Sequence, residues 1–234
     1  MREAQATLRG VEIMTSEGAA RAQLAWPPGG GPRSGDAALP RPRGKGPRAG
    51  DPAFLLVLTH GSGGGPESAD LLAVRDAVLP LGAAVVLVTQ PYRVKGRRAP
   101  GPPARQDAAW AEIIDVLRPA TGPHVPLVQG GRSNGARVAC RTARATGARA
   151  VLALAFPLHP PGHPEKSRAG ELSLAGTDVL VINGSRDPFG VPDQAARTRV
   201  VVLEGETHAL SREPGVAGAV AAAWLADLPG LART

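Results

Sequence analysis

Six short runs rich in apolar and β-branched residues, none alternating with polar positions, limit this chain more than any other feature: Phe54–Thr59, Ala83–Thr89, Val125–Val128, Ala150–Ala155, Val179–Ile182 and Arg199–Leu203. A strand with one face in water alternates apolar with polar residues, whereas a strand covered on both faces does not. Between the runs lie stretches with helical spacing: Ser68–Leu79, Arg105–Leu117, Asn134–Thr146 and Pro214–Leu228. In the second, Ala109, Ile113, Val116 and Leu117 fall on one helical face. Buried strands alternating with helices over short links predict a mostly parallel sheet with helices on both faces, an α/β fold. Upstream, Thr7–Ile13 and Ala22–Trp26 are too few residues for a core of their own. They predict short antiparallel strands at the edge of the same sheet.

Pro27–Pro52 separates those edge strands from the first buried run and holds seven Pro and seven Gly in 26 residues. Pro lacks a donor and Gly is costly to order, so the stretch is expected to be a flexible surface insert within a single domain spanning residues 1–234. It carries five basic residues against two acids, which is +3 of the formal net charge of +7. The other cations are scattered and aromatics make up only 3%, so no basic and aromatic stripe exists for stacking bases, and no nucleic-acid partner is expected. A single cysteine, Cys140, excludes an internal disulfide and any multi-cysteine metal site. It stands two helical turns past Ser133, a packing position. The apolar runs are far shorter than the roughly 18 residues of a membrane span, and the first twenty residues show no secretory pattern. A cytoplasmic protein with no membrane partner is the expectation.

In a parallel sheet, ligands and chemistry gather beyond the carboxyl ends of the strands. After Val125–Val128 comes Gly131-Arg132-Ser133-Asn134-Gly135, a G-x-S-x-G turn between strand and helix that would project the Ser133 hydroxyl above the sheet. After Phe54–Thr59 comes His60-Gly61-Ser62-Gly63-Gly64-Gly65, whose backbone N–H groups, with the amide of Asn134, can stabilise an oxyanion. Neither a G-x-x-x-x-G-K-[ST] loop nor a G-x-G-x-x-G loop with its acid is present, so the glycines do not read as a nucleotide cradle. Asp187 follows Val179–Ile182, and His208 follows Arg199–Leu203. Asp178 and His124 precede strands and belong to the opposite edge, while Asp193 is the fallback acid. Ser133 as nucleophile, His208 as proton shuttle and Asp187 as its orienting acid form a chemically complete set.

Further residues are expected around this centre. His60, Gly61, Tyr92 and His159 are predicted to border the substrate, with His60 orienting its own loop. The proline-rich loop Phe156–Arg168 is expected to wall the site, and the basic loop Gln90–Pro103 to lie in solvent. His159 and His163 are four apart, but Pro160, Pro161 and Pro164 prevent the helix that would align them, so no metal is expected.

From Phe54 to Leu228 the chain resembles the small α/β hydrolases related to dienelactone hydrolases, most of all the testis-expressed-type branch. The resemblance rests on LTHGSGGG (Leu58–Gly65), GGRSNGARVAC (Gly130–Cys140), FPLHPPGHPEKSR (Phe156–Arg168), INGSRDPFG (Ile182–Gly190) and the following GETHAL. It implies the α/β-hydrolase fold, a triad at Ser133, Asp187 and His208, and an oxyanion hole from the amides of Ser62 and Asn134. Two departures stand out: the insert at Pro27–Pro52, and serine where dienelactone hydrolases proper use cysteine, so their substrate is not carried over. The expected function is a serine hydrolase cleaving a small ester, thioester or amide through an acyl-enzyme, without cofactor. The alternative is a catalytically silent interaction protein on the same fold. Oligomeric state is not legible.

Overall fold

The computed structural model describes residues 8–27, 30–31 and 50–231. Most of the insert expected at Pro27–Pro52 lies outside the described residues. Eight strands are described: β1 (Leu8–Thr15), β2 (Gly18–Ala25), β3 (Leu55–Thr59), β4 (Ala84–Thr89), β5 (Leu127–Arg132), β6 (Ala150–Leu154), β7 (Asp178–Gly184) and β8 (Thr198–Leu203). They form one sheet in the order β1-β2-β4-β3-β5-β6-β7-β8. The β1–β2 hairpin joins β4 antiparallel, and every pairing from β4 to β8 is parallel. The helices are α1 (Ala69–Val78), α2 (Pro91–Val94), α3 (Pro103–Thr121), α4 (Asn134–Thr146), α5 (Ala169–Ser173) and α6 (Pro214–Asp227). None of the described helices is long and apolar enough to cross a membrane.

The pleat explains the unbroken apolar runs. Leu56, Leu58, Leu152, Leu154, Leu180 and Ile182 face the layer built by Leu71 and Val74 of α1 and Leu225 of α6. Their neighbours point the other way, Leu55 and Val57 onto Trp110 and Ile113 of α3, and Val151, Ala153 and Val181 onto Ala139 and Cys140 of α4. Successive side chains on a strand take opposite faces, and here both faces are buried. One expected helical contact differs. Ala109, Ile113 and Leu117 are buried but Val116 is exposed, because the buried stripe of α3 centres on Trp110, Ile113, Ile114 and Leu117, about a quarter-turn away.

β5 continues past the apolar run through Gln129, Gly130, Gly131 and Arg132, paired with β3 and β6. The buried amide of Gln129 is fully used. Its Oε1 accepts from Trp110 Nε1 at 3.2 Å and Thr146 Oγ1 at 2.9 Å, and its Nε2 donates to Ala139 O at 2.6 Å and Thr142 Oγ1 at 2.9 Å. One polar side chain thereby ties α3 and α4 to the strand that leads into the nucleophile turn.

Register then levels the strand ends. Gly131 is opposite Thr59, Arg132 opposite Leu154, Leu154 opposite Ile182, and Ile182 opposite Val201. The chain runs from β3 outward to β4 and returns to β5 on the other side of β3, so the loops after β3 and β5 open toward each other. Such a switch point is where doubly wound sheets bind ligands.

Candidate active site

Ser133 sits between β5 and α4 with φ 53° and ψ −114°, outside the regions an L residue ordinarily occupies. The surroundings enforce it. Ser133 N donates to Leu154 O at 2.8 Å. A Cβ on Gly131 would lie 2.5 Å from Thr59 O, and one on Gly135 would lie 2.6 Å from the same oxygen. Only glycine on either side lets the turn press this closely against the end of β3, a strained strand-to-helix elbow that aims a hydroxyl away from the sheet.

His208, from the loop after β8, faces that hydroxyl with Nε2 2.9 Å from Ser133 Oγ. Its Nδ1 lies 2.8 Å from Asp187 Oδ2. A carboxylate only accepts, so Nδ1 carries the proton and Nε2 is left to accept from the serine. The Asp187 side chain is fully buried, and its Oδ1 accepts from Phe189 N at 2.9 Å. Behind it, Asn183 Nδ2 donates to Asp187 Oδ2 at 3.4 Å, while the same amide spans Phe156 N and O at 2.8 and 3.0 Å. The Phe189 ring packs on His208 with centroids 4.2 Å apart.

The amides of Ser62 and Asn134 have no hydrogen-bond acceptor among the described residues. For Asn134 this follows from its place at the first turn of α4, where N–H groups are orphaned. Both residues, with Gly61, line the pocket above Ser133, whose volume is about 400 Å³. The loop bearing Ser62 is braced from behind by Tyr92, whose hydroxyl donates to Ser62 O at 3.1 Å. The Asn134 side chain donates to Gln106 Oε1 at 2.7 Å.

Of the residues expected to border the substrate, Gly61 lines the pocket and His60, Tyr92 and His159 do not. His60 is wholly buried, accepting from Gln90 N at Nε2 (3.0 Å) and donating from Nδ1 to Gly61 O (2.8 Å). Burial pushes its pKa below the usual histidine value, in keeping with the neutral ring those bonds require. Tyr92 faces a separate cavity of about 130 Å³, and burial pushes its phenol up to about 12. His159 is turned onto Gly190, with Nδ1 2.9 Å from Pro160 O. Asp178 and His124 are at the far edge, His124 bound to Asp51 at 3.0 Å. Cys140 is buried in α4, and burial pushes its thiol up to about 12, a packing role.

Pro157 and Arg168 line the pocket from the proline-rich loop expected to wall the site, whereas sequence reasoning missed Arg132, Arg137 and Phe189. Two had a legible signal. Arg132 is the first variable residue of the G-x-S-x-G turn, and Arg137 stands one helical turn past Ser133. Arg132 Nη2 donates to His208 O at 2.8 Å, and its Nε lies 3.1 Å from the buried carboxylate of Asp70, an ion-pair distance with the N–H misdirected for a hydrogen bond. Among the described residues no three His, Cys, Asp or Glu side chains cluster as metal ligands.

A family model described as an alpha/beta hydrolase domain matches residues 52–213. No curated protein matches the sequence significantly. Among solved structures, an alpha-beta serine hydrolase homologue from Coxiella burnetii superposes with TM-score 0.69 at 12% identity, covering 93% of this chain and 97% of that one. Est1E from Butyrivibrio proteoclasticus gives 0.65 at 13%, covering 92% and 96%, and dienelactone hydrolase from Anabaena variabilis gives 0.64 at 20%, covering 93% and 94%. At such identities the likeness is one of fold.

Proposed function

Since the chain belongs to the alpha/beta hydrolase domain family, we propose that it is a serine hydrolase cleaving a small ester, thioester or amide through an acyl-enzyme on Ser133. The observation that carries this reading is the His208 ring, held between Ser133 Oγ at 2.9 Å and Asp187 Oδ2 at 2.8 Å. As Ser133 attacks the carbonyl carbon, its proton passes to His208 Nε2, and Asp187 stabilises the imidazolium that forms. The amides of Ser62 and Asn134 receive the developing oxyanion at the positive end of α4. His208 then protonates the leaving group, and water, deprotonated by the same nitrogen, releases the acyl group. No step calls for a metal or an organic cofactor.

A fluorophosphonate probe tests this directly. Wild type is expected to be labelled at Ser133 and Ser133→Ala to stay unlabelled. Equal labelling of the two, or none of the wild type, overturns the assignment and leaves a catalytically silent fold.

A further inference from the structure

The pocket above Ser133 is lined by three arginines and by no carboxylate. Two of them are already balanced. Arg137 donates to Glu171 twice, from Nη2 at 2.6 Å and Nε at 2.8 Å. Arg132 lies beside Asp70 and spends Nη2 on the His208 carbonyl. Glu171 has no charge to spare, since Arg141 also approaches it, at 3.4 Å, while pairing with Asp107 at 2.7 Å.

Arg168 differs from both. No ion pair among the described residues includes it, and its one side-chain bond is from Nη1 to Pro157 O at 3.1 Å. It is nevertheless held in place. Arg168 N donates to Leu158 O at 2.7 Å, so the four-proline loop Phe156–Arg168 closes on itself and carries the guanidinium to the pocket wall. The head group retains donors that face no acceptor. It is half-buried, on a stiff loop, in a cavity that also holds the nucleophile, the base and the free amides. A preorganised guanidinium without a partner matches the planar, bidentate geometry of a carboxylate.

We propose that Arg168 is the anion-recognising residue of this pocket and that the substrate carries a free carboxylate besides the bond that is cleaved. The proposal rests on the serine-hydrolase reading and names its substrate class. Burial and the nearby charge of Arg137 push the Arg168 guanidinium below its ordinary pKa, outweighing the attraction of Glu171, which is already paired with Arg137.

The test compares kcat/KM for 4-nitrophenyl hydrogen glutarate with that for the neutral 4-nitrophenyl pentanoate. Wild type is expected to favour the anionic ester, and Arg168→Gln to lower the anionic-to-neutral ratio by about 10- to 100-fold, the worth of one charge-assisted contact. Arg168→Lys is expected to recover part of the ratio. An unchanged ratio in Arg168→Gln, or a wild type that takes up the fluorophosphonate and shows no preference for the anionic ester, overturns the anion site while the hydrolase stands. A wild type that takes up no fluorophosphonate overturns the hydrolase reading itself, so the two failures are distinguishable.

Discussion

Asn183→Asp changes a single atom at the point where the acid of the candidate triad is held. Asn183 is fully buried, and its Nδ2 donates to Phe156 O at 3.0 Å, Gly190 O at 3.1 Å and Asp187 Oδ2 at 3.4 Å. Aspartate keeps the shape but sets an oxygen against three acceptors. Two carboxylates at the 3.4 Å separation of this pair repel by about 332/(20 × 3.4), or about 5 kcal/mol, at an effective dielectric constant of about 20. That is about 3.6 pK units, so the folded pair keeps one proton up to about pH 7.5, whereas an unfolded aspartate ionises near about 3.9.

The sign follows from linkage. Between those pH values the folded state binds more protons than the unfolded state, so stability falls as pH rises, by about 1.4 kcal/mol per unit. Relative to wild type, Asn183→Asp is expected to lose about 1.5 kcal/mol at pH 5 and about 4 kcal/mol at pH 7, on top of a pH-independent loss of hydrogen bonds. Urea unfolding followed by tryptophan fluorescence at pH 5, 6 and 7 reads the difference, and subtracting wild type removes the titrations the two proteins share. A proton shared by the two carboxyls also weakens the acceptor for His208 Nδ1, so fluorophosphonate labelling at pH 7 should slow. A stability difference that stays flat across this range refutes the close, dry placement of Asn183 against Asp187.

Gly135→Ala would put a methyl group 2.6 Å from Thr59 O and 2.8 Å from His60 O, both backbone atoms that cannot swing away. A loss of about 1–3 kcal/mol is expected, a fall in Tm of about 3–10 °C by calorimetry, and an unchanged Tm argues that α4 does not press on β3 this closely. His60 has a folded-state pKa below its ordinary value, so below about pH 6.5 the unfolded chain takes up a proton that the folded chain resists. Wild type should therefore lose stability faster than His60→Gln between pH 6.5 and 5, and parallel pH profiles of the two would sink the neutral, buried assignment of this ring.

The sheet was legible because its strands are buried on both faces, which leaves apolar runs that few other structures tolerate. The placement of Ser133, Asp187 and His208 followed from the rule that parallel strands deliver their C-terminal loops to one edge, and register brings those three within hydrogen-bond reach. Which way a loop side chain turns was not legible. His60 is adjacent to Gly61, which borders the pocket, yet its ring is captured by the amide of Gln90, thirty residues away in sequence. Tyr92 is drawn beneath the same loop by Ser62 O. Arg132 and Arg137 were hidden for a related reason, since a cation counts toward a site only once its acids are placed. Glu171 meets Arg137 through the packing of α5 on α4, which no local pattern records.

Register is therefore what the candidate site depends on, and β7 shows how it is set. With both faces apolar, Val179, Leu180, Val181 and Ile182 would pack about equally well after a slip of one residue, so hydrophobic pattern alone specifies the pairing weakly. A buried amide does not share that tolerance. Asn183 satisfies the N–H and the carbonyl of Phe156 together, at 2.8 and 3.0 Å, in the register that sets Ile182 beside Leu154. A slip would reverse the direction of its side chain and orphan both groups in a dry interior, a loss of about 1–3 kcal/mol for each. The same slip would carry Asp187 away from His208. The residue that pins the strand is thus the one that holds the acid, and the fold cannot settle into its lowest-energy pairing without also bringing Asp187, His208 and Ser133 into line.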